Sequence, residues 1–185
     1  MDIATFVNLT SRAWALPILS CLHDGVPGRQ APLLSAIGAS RTAFAQSMEH
    51  LIRSGFLERN PGHGHPLRPE FRLTPAGKDA AAMAHKIQTV AAIDDLILLR
   101  RSWTLPVLTS LHQPKQFTEI RRNLTTITDR ALSQSLKSME DRNWVQRRVI
   151  DEVRPPRPIY SAINLGSAIS QITGPQVSFA ENNRR

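Results

Sequence analysis

The chain has 185 residues, of which 41% are hydrophobic and 5% aromatic, and its formal net charge is +8. A membrane span needs about 20 consecutive apolar residues and no run approaches that length, while the first residues lack the basic start and apolar core of a signal peptide. Because Cys21 is the only cysteine, a disulfide within the chain is excluded, and we expect a protein of the reducing cytoplasm.

Both halves of the chain are basic. Residues 1–89 contain 9 Lys/Arg and 6 Asp/Glu, and residues 90–185 contain 14 and 9. Excess positive charge suits a polyanion, most simply nucleic acid, although the same excess also promotes solubility. Charge alone therefore indicates nucleic acid without separating DNA from RNA or from an anionic membrane surface.

The sequence contains an internal repeat with a period of about 89 residues. Three segments recur in the same order, and the spacing is too long for solenoid or propeller repeats of roughly 20–50 residues. Each repeat has the size of a small domain. The matching pairs are Arg12–His23 with Arg101–His112, Ala43–Met48 with Ala131–Leu136, and Phe71–Gly77 with Tyr160–Gly166.

The repeat predicts two domains, 1–89 and 90–173, followed by a flexible C-terminal tail, 174–185. The two domains are joined by a connector, residues 75–92, whose alanine-rich run favours a helix over a flexible linker.

In the first repeat, Pro17 lies early in an apolar segment after Trp14, which predicts a helix that starts just before the tryptophan. The matching segment of the second repeat predicts the same start before Trp103, and both tryptophans are expected in the core. The first hairpin segment, residues 61–69, contains His63 and His65; a flexible wing is favoured there over a zinc site, since no Cys or carboxylate stands at ligand spacing.

The second repeat has clearer element boundaries. Residues 91–99 predict a short helix, and Thr118 is a candidate N-cap for the next one. Thr128 is a good N-cap for a long helix, residues 129–142, that buries one apolar stripe. Residues 144–150 and 159–162 alternate as two strands around a proline-rich loop, and a final helix opens at Asn164.

This order of helices and a hairpin describes a winged helix-turn-helix, whose second helix enters the DNA major groove. The fold class expected is therefore mainly α with small β-hairpin wings: two tandem winged helix-turn-helix domains that form a pseudo-dimer. No phosphate-binding glycine loop, nucleophile triad or acid pair indicates an enzyme, so we expect no catalytic residues, no cofactor and no metal.

The second repeat resembles the HxlR-type branch of MarR-like transcriptional regulators over nearly all its length. The motifs that carry the resemblance are Arg101–Leu105, Phe117–Ile120, Ala131–Leu136, Glu152–Arg157 with Tyr160–Ser161, and Leu165–Gly166. In the first repeat Trp14, the Gln46–Ser47 helix and Leu73–Gly77 match, whereas the wing does not. The resemblance implies a bacterial or archaeal repressor or activator, usually with one winged domain per chain, that dimerises on a palindromic operator.

We therefore predict a sequence-specific double-stranded DNA-binding transcription regulator, a repressor in the commoner family outcome, that reads an imperfect inverted repeat through two recognition helices. Its expected partners are the DNA operator and a small-molecule effector, with no membrane, and it is expected in the cytoplasm with the nucleoid. The pseudo-dimer lies within one chain, and further homodimerisation stays open. The alternative is a tandem winged-helix module for protein–protein interaction, with one or no DNA-reading domain.

The candidate DNA-binding residues are polar or basic and fall on the two recognition helices, the preceding helix and the wings. They are Arg130, Ser133, Gln134, Lys137, Arg121, Arg122, Arg154, Arg157, Arg41, Thr42, Gln46 and Arg68. Asp129 is unusual on such a surface, and it either favours the helix N-terminus or accepts from cytosine. Cys21 is either inert packing or a redox sensor, although it does not stand where sensing members of the family carry theirs.

Overall fold

A computed structural model of the chain describes residues 1–60, 69–150 and 157–179. The chain folds into two units. The first, here called the inserted unit, is Arg12–Ala92. The second, the discontinuous unit, joins Met1–Ser11 to the chain from Ile93 onward.

The inserted unit is helical with one antiparallel hairpin. Its α2 and α5 pack against each other, and the hairpin pairs Leu57 with Leu73 at its base. Its elements are α2 (Ala15–His23), α3 (Gln30–Ile37), α4 (Arg41–Arg53), β1 (Leu57–Asn60), β2 (Glu70–Leu73) and α5 (Pro75–Val90). The predicted helical connector is confirmed, because α5 is one continuous helix that begins at Pro75, behind the N-cap Thr74.

The discontinuous unit repeats this order and adds two short helices before the repeated elements and a two-residue strand among them. The core joins α7 to α10, where the buried Thr109 hydroxyl donates to the Thr173 hydroxyl at 2.7 Å. Its elements are α1 (Ile3–Thr10), α6 (Leu96–Leu99), α7 (Thr104–Ser110), β3 (Lys115–Gln116), α8 (Phe117–Asn123), α9 (Asp129–Glu140), β4 (Val145–Ile150), β5 (Arg157–Ala162) and α10 (Asn164–Thr173).

The wing of the discontinuous unit belongs to a three-stranded sheet of order β3-β5-β4. Strands β4 and β5 are antiparallel, with Val145 opposite Ala162, and β3 pairs with the middle of β5, with Lys115 opposite Tyr160. The two-residue strand β3 is absent from the sequence prediction because a pair of residues has no period to detect.

Helix α1 packs on α7 and so belongs to the unit of the second repeat. Phe6 and Leu9 are fully buried, and the Thr10 hydroxyl donates to the Ser102 carbonyl at 3.2 Å. Backbone bonds join the first residues to the chain after α10, with the Ile3 N–H donating to the Ser178 carbonyl at 2.9 Å. The contacts therefore place residues 1–11 outside the predicted domain 1–89.

Four details differ from the sequence prediction. Helices α2 and α7 begin just after Trp14 and Trp103, which occupy the N-cap positions and are half-buried instead of lying in the core. Residues 91–99 form a 3-10 turn, Ile93–Asp95, and the four-residue α6. Helix α8 starts one residue before Thr118, because Glu119 accepts from the backbone N–H of Gln116, at the N-cap, at 2.7 Å.

The predicted flexible tail also differs, since residues 174–179 are part of the fold. Gly174–Gln176 form a 3-10 turn and Val177 is 4% exposed. The ammonium group of Met1 donates to the Gln176 carbonyl at 2.7 Å.

Each unit carries the helix-turn-helix and hairpin of a winged helix, so the fold class, mainly α with small β-hairpin wings, is confirmed. In the part of the chain that the structure describes, no helix combines the length and apolarity that crossing a membrane requires.

Candidate nucleic-acid interface

The clearest candidate surface is the outer face of α9. The Thr128 hydroxyl caps this helix by accepting from the Ala131 N–H at 3.2 Å, as predicted. Leu132, Leu136 and Met139 form the buried stripe and are at most 2% exposed. Burial of this stripe fixes the rotation of the helix, so the opposite face must point outward.

The outward face of α9 carries the predicted set. All four side chains are exposed, and together they offer cationic, hydroxyl and amide groups over about two helical turns. These are the groups that bond base edges and phosphates in DNA complexes. The residues are Arg130, Ser133, Gln134 and Lys137.

Helix α4 is built in the same way in the inserted unit. The Ser40 hydroxyl accepts from the Ala43 N–H at 3.3 Å, and Phe44 and Met48 are buried. The predicted residues Arg41, Thr42 and Gln46 are exposed on the other face.

The two candidate arginines of α8 differ in their surroundings. Arg121 and Arg122 are both exposed in the last turn of the helix. Arg121 Nε lies 2.5 Å from Asp129 Oδ1, so an ion pair spans the turn of the helix-turn-helix. Arg121 is therefore already paired, whereas it was predicted as a phosphate contact.

The predicted wing residues are only partly described. Arg157 is exposed at the start of β5, opposite Ile150. Arg154 and Arg68 lie outside the described residues, as do His63 and His65.

Two basic strand residues were missed by the sequence reasoning. Arg147 and Arg148 are both exposed on β4. They are neighbours on a strand, so their side chains point to opposite faces of the sheet. The sequence shows that both residues are basic, but it does not show which of the two faces a ligand would contact.

A further missed cation is Arg101, which precedes α7. Its Nη1 donates to the Ser138 hydroxyl of α9 at 3.2 Å. It lines a cavity of about 260 Å³ beside α9 that Trp103, Gln134 and Ser135 also line. The sequence shows Arg101 at the start of the repeated tryptophan segment. Its contact with α9 could not be predicted from sequence, because it depends on how the helices pack.

Burial changes the acid–base chemistry of two groups outside this surface. Desolvation lowers the pKa of Lys115, whose ammonium donates to the Ser110 carbonyl at 2.7 Å, so this cation faces the fold. Burial, with a smaller contribution from the nearby Asp24 carboxylate, raises the pKa of the Cys21 thiol. Among the described residues no group of His, Cys, Asp and Glu side chains is arranged to hold a metal ion.

Comparison with known proteins was made by family, by curated sequence and by structure. The family model of the HxlR-like helix-turn-helix matches residues 9–93 and again residues 98–184. No curated protein matches the chain. A solved structure of the reduced form of the transcriptional regulator YodB from B. subtilis is 26% identical, with a TM-score of 0.39, over 45% of this chain and 81% of that one. The two family matches cover nearly all of both repeats, and the chain therefore belongs to the HxlR-like helix-turn-helix family of DNA-binding transcription regulators, whose domain it carries twice.

Proposed function

We propose that this regulator is a sequence-specific repressor that reads an imperfect inverted repeat of double-stranded DNA, with α4 on one half-site and α9 on the other. One observation carries the proposal: two helices that are each capped by a hydroxyl side chain and bury an apolar stripe at matching positions expose different residues. Caps and stripes at matching positions favour the same docking, and different outer residues favour different bases.

The proposed difference between half-sites follows from residues at matching positions. Gln46 and Gln134 match, and glutamine pairs well with adenine in the major groove. The first helical residue is Arg41 in α4 and Asp129 in α9, which reverses the charge at that position. The shared glutamine would give the operator its approximate symmetry, and the reversed charge would break it.

The proposed contact set keeps the predicted residues on the outward faces of the two helices, and it keeps the predicted wing arginine Arg157 as a phosphate contact. Arg121 and Arg122 are proposed as contacts at the edge of the major groove. Arg68 and Arg154 stay predictions. We propose that the two repeats act as a pseudo-dimer, since covalent linkage makes the second contact intramolecular. A small-molecule effector and a place at the nucleoid belong to the same proposal.

The decisive experiment selects duplexes from a random pool with the full chain. The expected result is a duplex with two half-sites about one helical turn apart, roughly 34 Å. The two half-sites should share some bases and differ at others. A perfect palindrome bound by one chain would contradict the asymmetry. Failure to enrich any duplex would favour the protein-interaction alternative instead. A reporter with the selected site across its promoter then tests repression, which predicts lower expression when the protein is present.

A further inference from the structure

The ion pair between Arg121 and Asp129 joins two positions at which a DNA-binding surface meets its ligand. Arg121 is in the last turn of α8, and Asp129 is the first residue of α9. The guanidinium Nε lies 2.5 Å from the carboxylate oxygen, and the side chains are 57% and 67% exposed. An ion pair so open to water contributes little to stability, so its position needs another explanation.

Helix capping does not explain Asp129. The Thr128 hydroxyl already accepts from the Ala131 N–H, and a carboxylate in the first turn adds only a modest interaction with the helix dipole. The carboxylate also has an unfavourable effect: it lies at the N-terminal end of the recognition helix, where it repels phosphate.

The first repeat has no ion pair between the corresponding helices, α3 and α4, both of which the structure describes in full. None of the residues of α3, all of which are described, is charged, and α4 opens on Arg41 behind the cap Ser40. Both helices are capped and buried in the same way. The pair is therefore not required by the helix-turn-helix fold and is a property of the second repeat alone.

We infer that Asp129 is a specificity-determining residue that holds Arg121 until a matching half-site offers both side chains a new partner. This inference rests on the proposed function. In the matching complex the carboxylate accepts from an exocyclic amino group, that of cytosine being the best fit, and the released guanidinium binds a backbone phosphate. On an unrelated duplex the carboxylate gains no partner, so the pair stays closed and Arg121 neutralises no phosphate.

The test measures binding of the full chain to its selected duplex and to an unrelated duplex over a range of salt concentrations. Asp129→Ala is expected to raise affinity for the unrelated duplex about tenfold and to leave the selected duplex within about threefold. The salt slope on the unrelated duplex should steepen by about one, because Arg121 becomes free to bind phosphate. Base preference at one position of the selected site should relax.

Two variants separate the pair from a general charge effect. Asp141→Ala removes the same charge from the exposed C-cap of α9, at the far end from Arg121. It should change both affinities by the same factor. In an Arg121→Ala background, Asp129→Ala should no longer steepen the salt slope.

Four results would overturn the inference. In the first, Asp129→Ala acts like Asp141→Ala on both duplexes. In the second, its steeper slope survives without Arg121. If the wild-type chain prefers no duplex, the proposed function fails and this inference fails with it; if it discriminates and Asp129→Ala discriminates equally, only the role of the pair is wrong.

Discussion

Gly77 and Gly166 occupy the third position of the helix that follows each wing. A Cβ atom on Gly166 would lie 2.1 Å from the Trp144 carbonyl oxygen, and one on Gly77 would lie 1.9 Å from that of Phe56. The Trp144 carbonyl also accepts from the Ile163 N–H at 2.8 Å, so it cannot withdraw freely. Both repeats thus need glycine where a helix crosses the backbone before the hairpin.

Gly166→Ala is expected to destabilise the discontinuous unit by about 1–3 kcal/mol, because the added methyl group meets backbone. Urea unfolding followed by circular dichroism measures the loss. Ser167→Ala, one residue along the same helix, is the control and should change stability by less than about 0.5 kcal/mol. Equal stability of both variants would show that the crossing can relax.

Cys21 is expected to react slowly with thiol reagents at neutral pH. Burial and the Asp24 carboxylate raise the pKa of its thiol, and the thiolate is the reactive form. Iodoacetamide should therefore alkylate the folded chain more slowly than the urea-unfolded chain, with the gap narrowing as pH rises. Faster alkylation of the folded chain would instead support redox sensing.

Arg157→Ala tests the wing that the structure describes in part. Loss of one phosphate contact should lower affinity on every duplex and reduce the salt slope by about one. Lys86→Ala removes an exposed cation from α5, a helix that belongs to neither the helix-turn-helix nor the wing, and is the matched control. An unchanged slope for Arg157→Ala would remove this residue from the interface.

Helix α1 belongs to the same unit as the second repeat, although it precedes the first repeat in sequence. Phe6→Ala should destabilise the discontinuous unit by about 3–5 kcal/mol, because the ring is fully buried there. Hydrogen exchange should rise in α7, where α1 packs, and stay unchanged in α4. Val7→Ala, on the half-buried side of the same helix, should have a smaller effect.

The recognition helices could be predicted from sequence because their signals are local. Thr128 precedes an apolar stripe at helical spacing, so its cap and the outward face of α9 follow from residues within a few positions, and Ser40, which the structure shows to cap α4, stands at the matching place. Gln116 shows the limit of the method: glutamine is an uncommon cap, and Thr118 offered a more usual one two residues later.

Contacts between residues distant in sequence could not be predicted. The packing of α1 on α7 and the pairing of Ile3 with Ser178 leave no periodic pattern. The ion pair of Arg121 and Asp129 joins residues on two helices, and although Asp129 is unusual on such a surface, the sequence does not show that Arg121 is its partner. The candidate surface was thus visible as a set of exposed residues, and its internal pairing became visible only in the fold.

At the scale of the whole molecule, the chain passes between its two units twice, after Ser11 and after Ala92. Two covalent connections in place of a monomer–dimer equilibrium mean that dilution cannot separate the repeats. On the proposed function, binding of one half-site is therefore expected to raise the effective concentration of the other recognition helix at its own half-site.

This linkage predicts how the full chain responds when one recognition helix is disabled. Arg41→Ala with Gln46→Ala should leave only the α9 half-site protected in a hydroxyl-radical footprint, and Arg130→Ala with Gln134→Ala should leave only the other. Either pair should weaken binding by about 10²–10⁴-fold, since the intramolecular second contact is lost. Because the two half-sites differ, the two footprints should fall on different sequences. Loss of both half-sites together in either variant would mean that the repeats do not bind as separable arms.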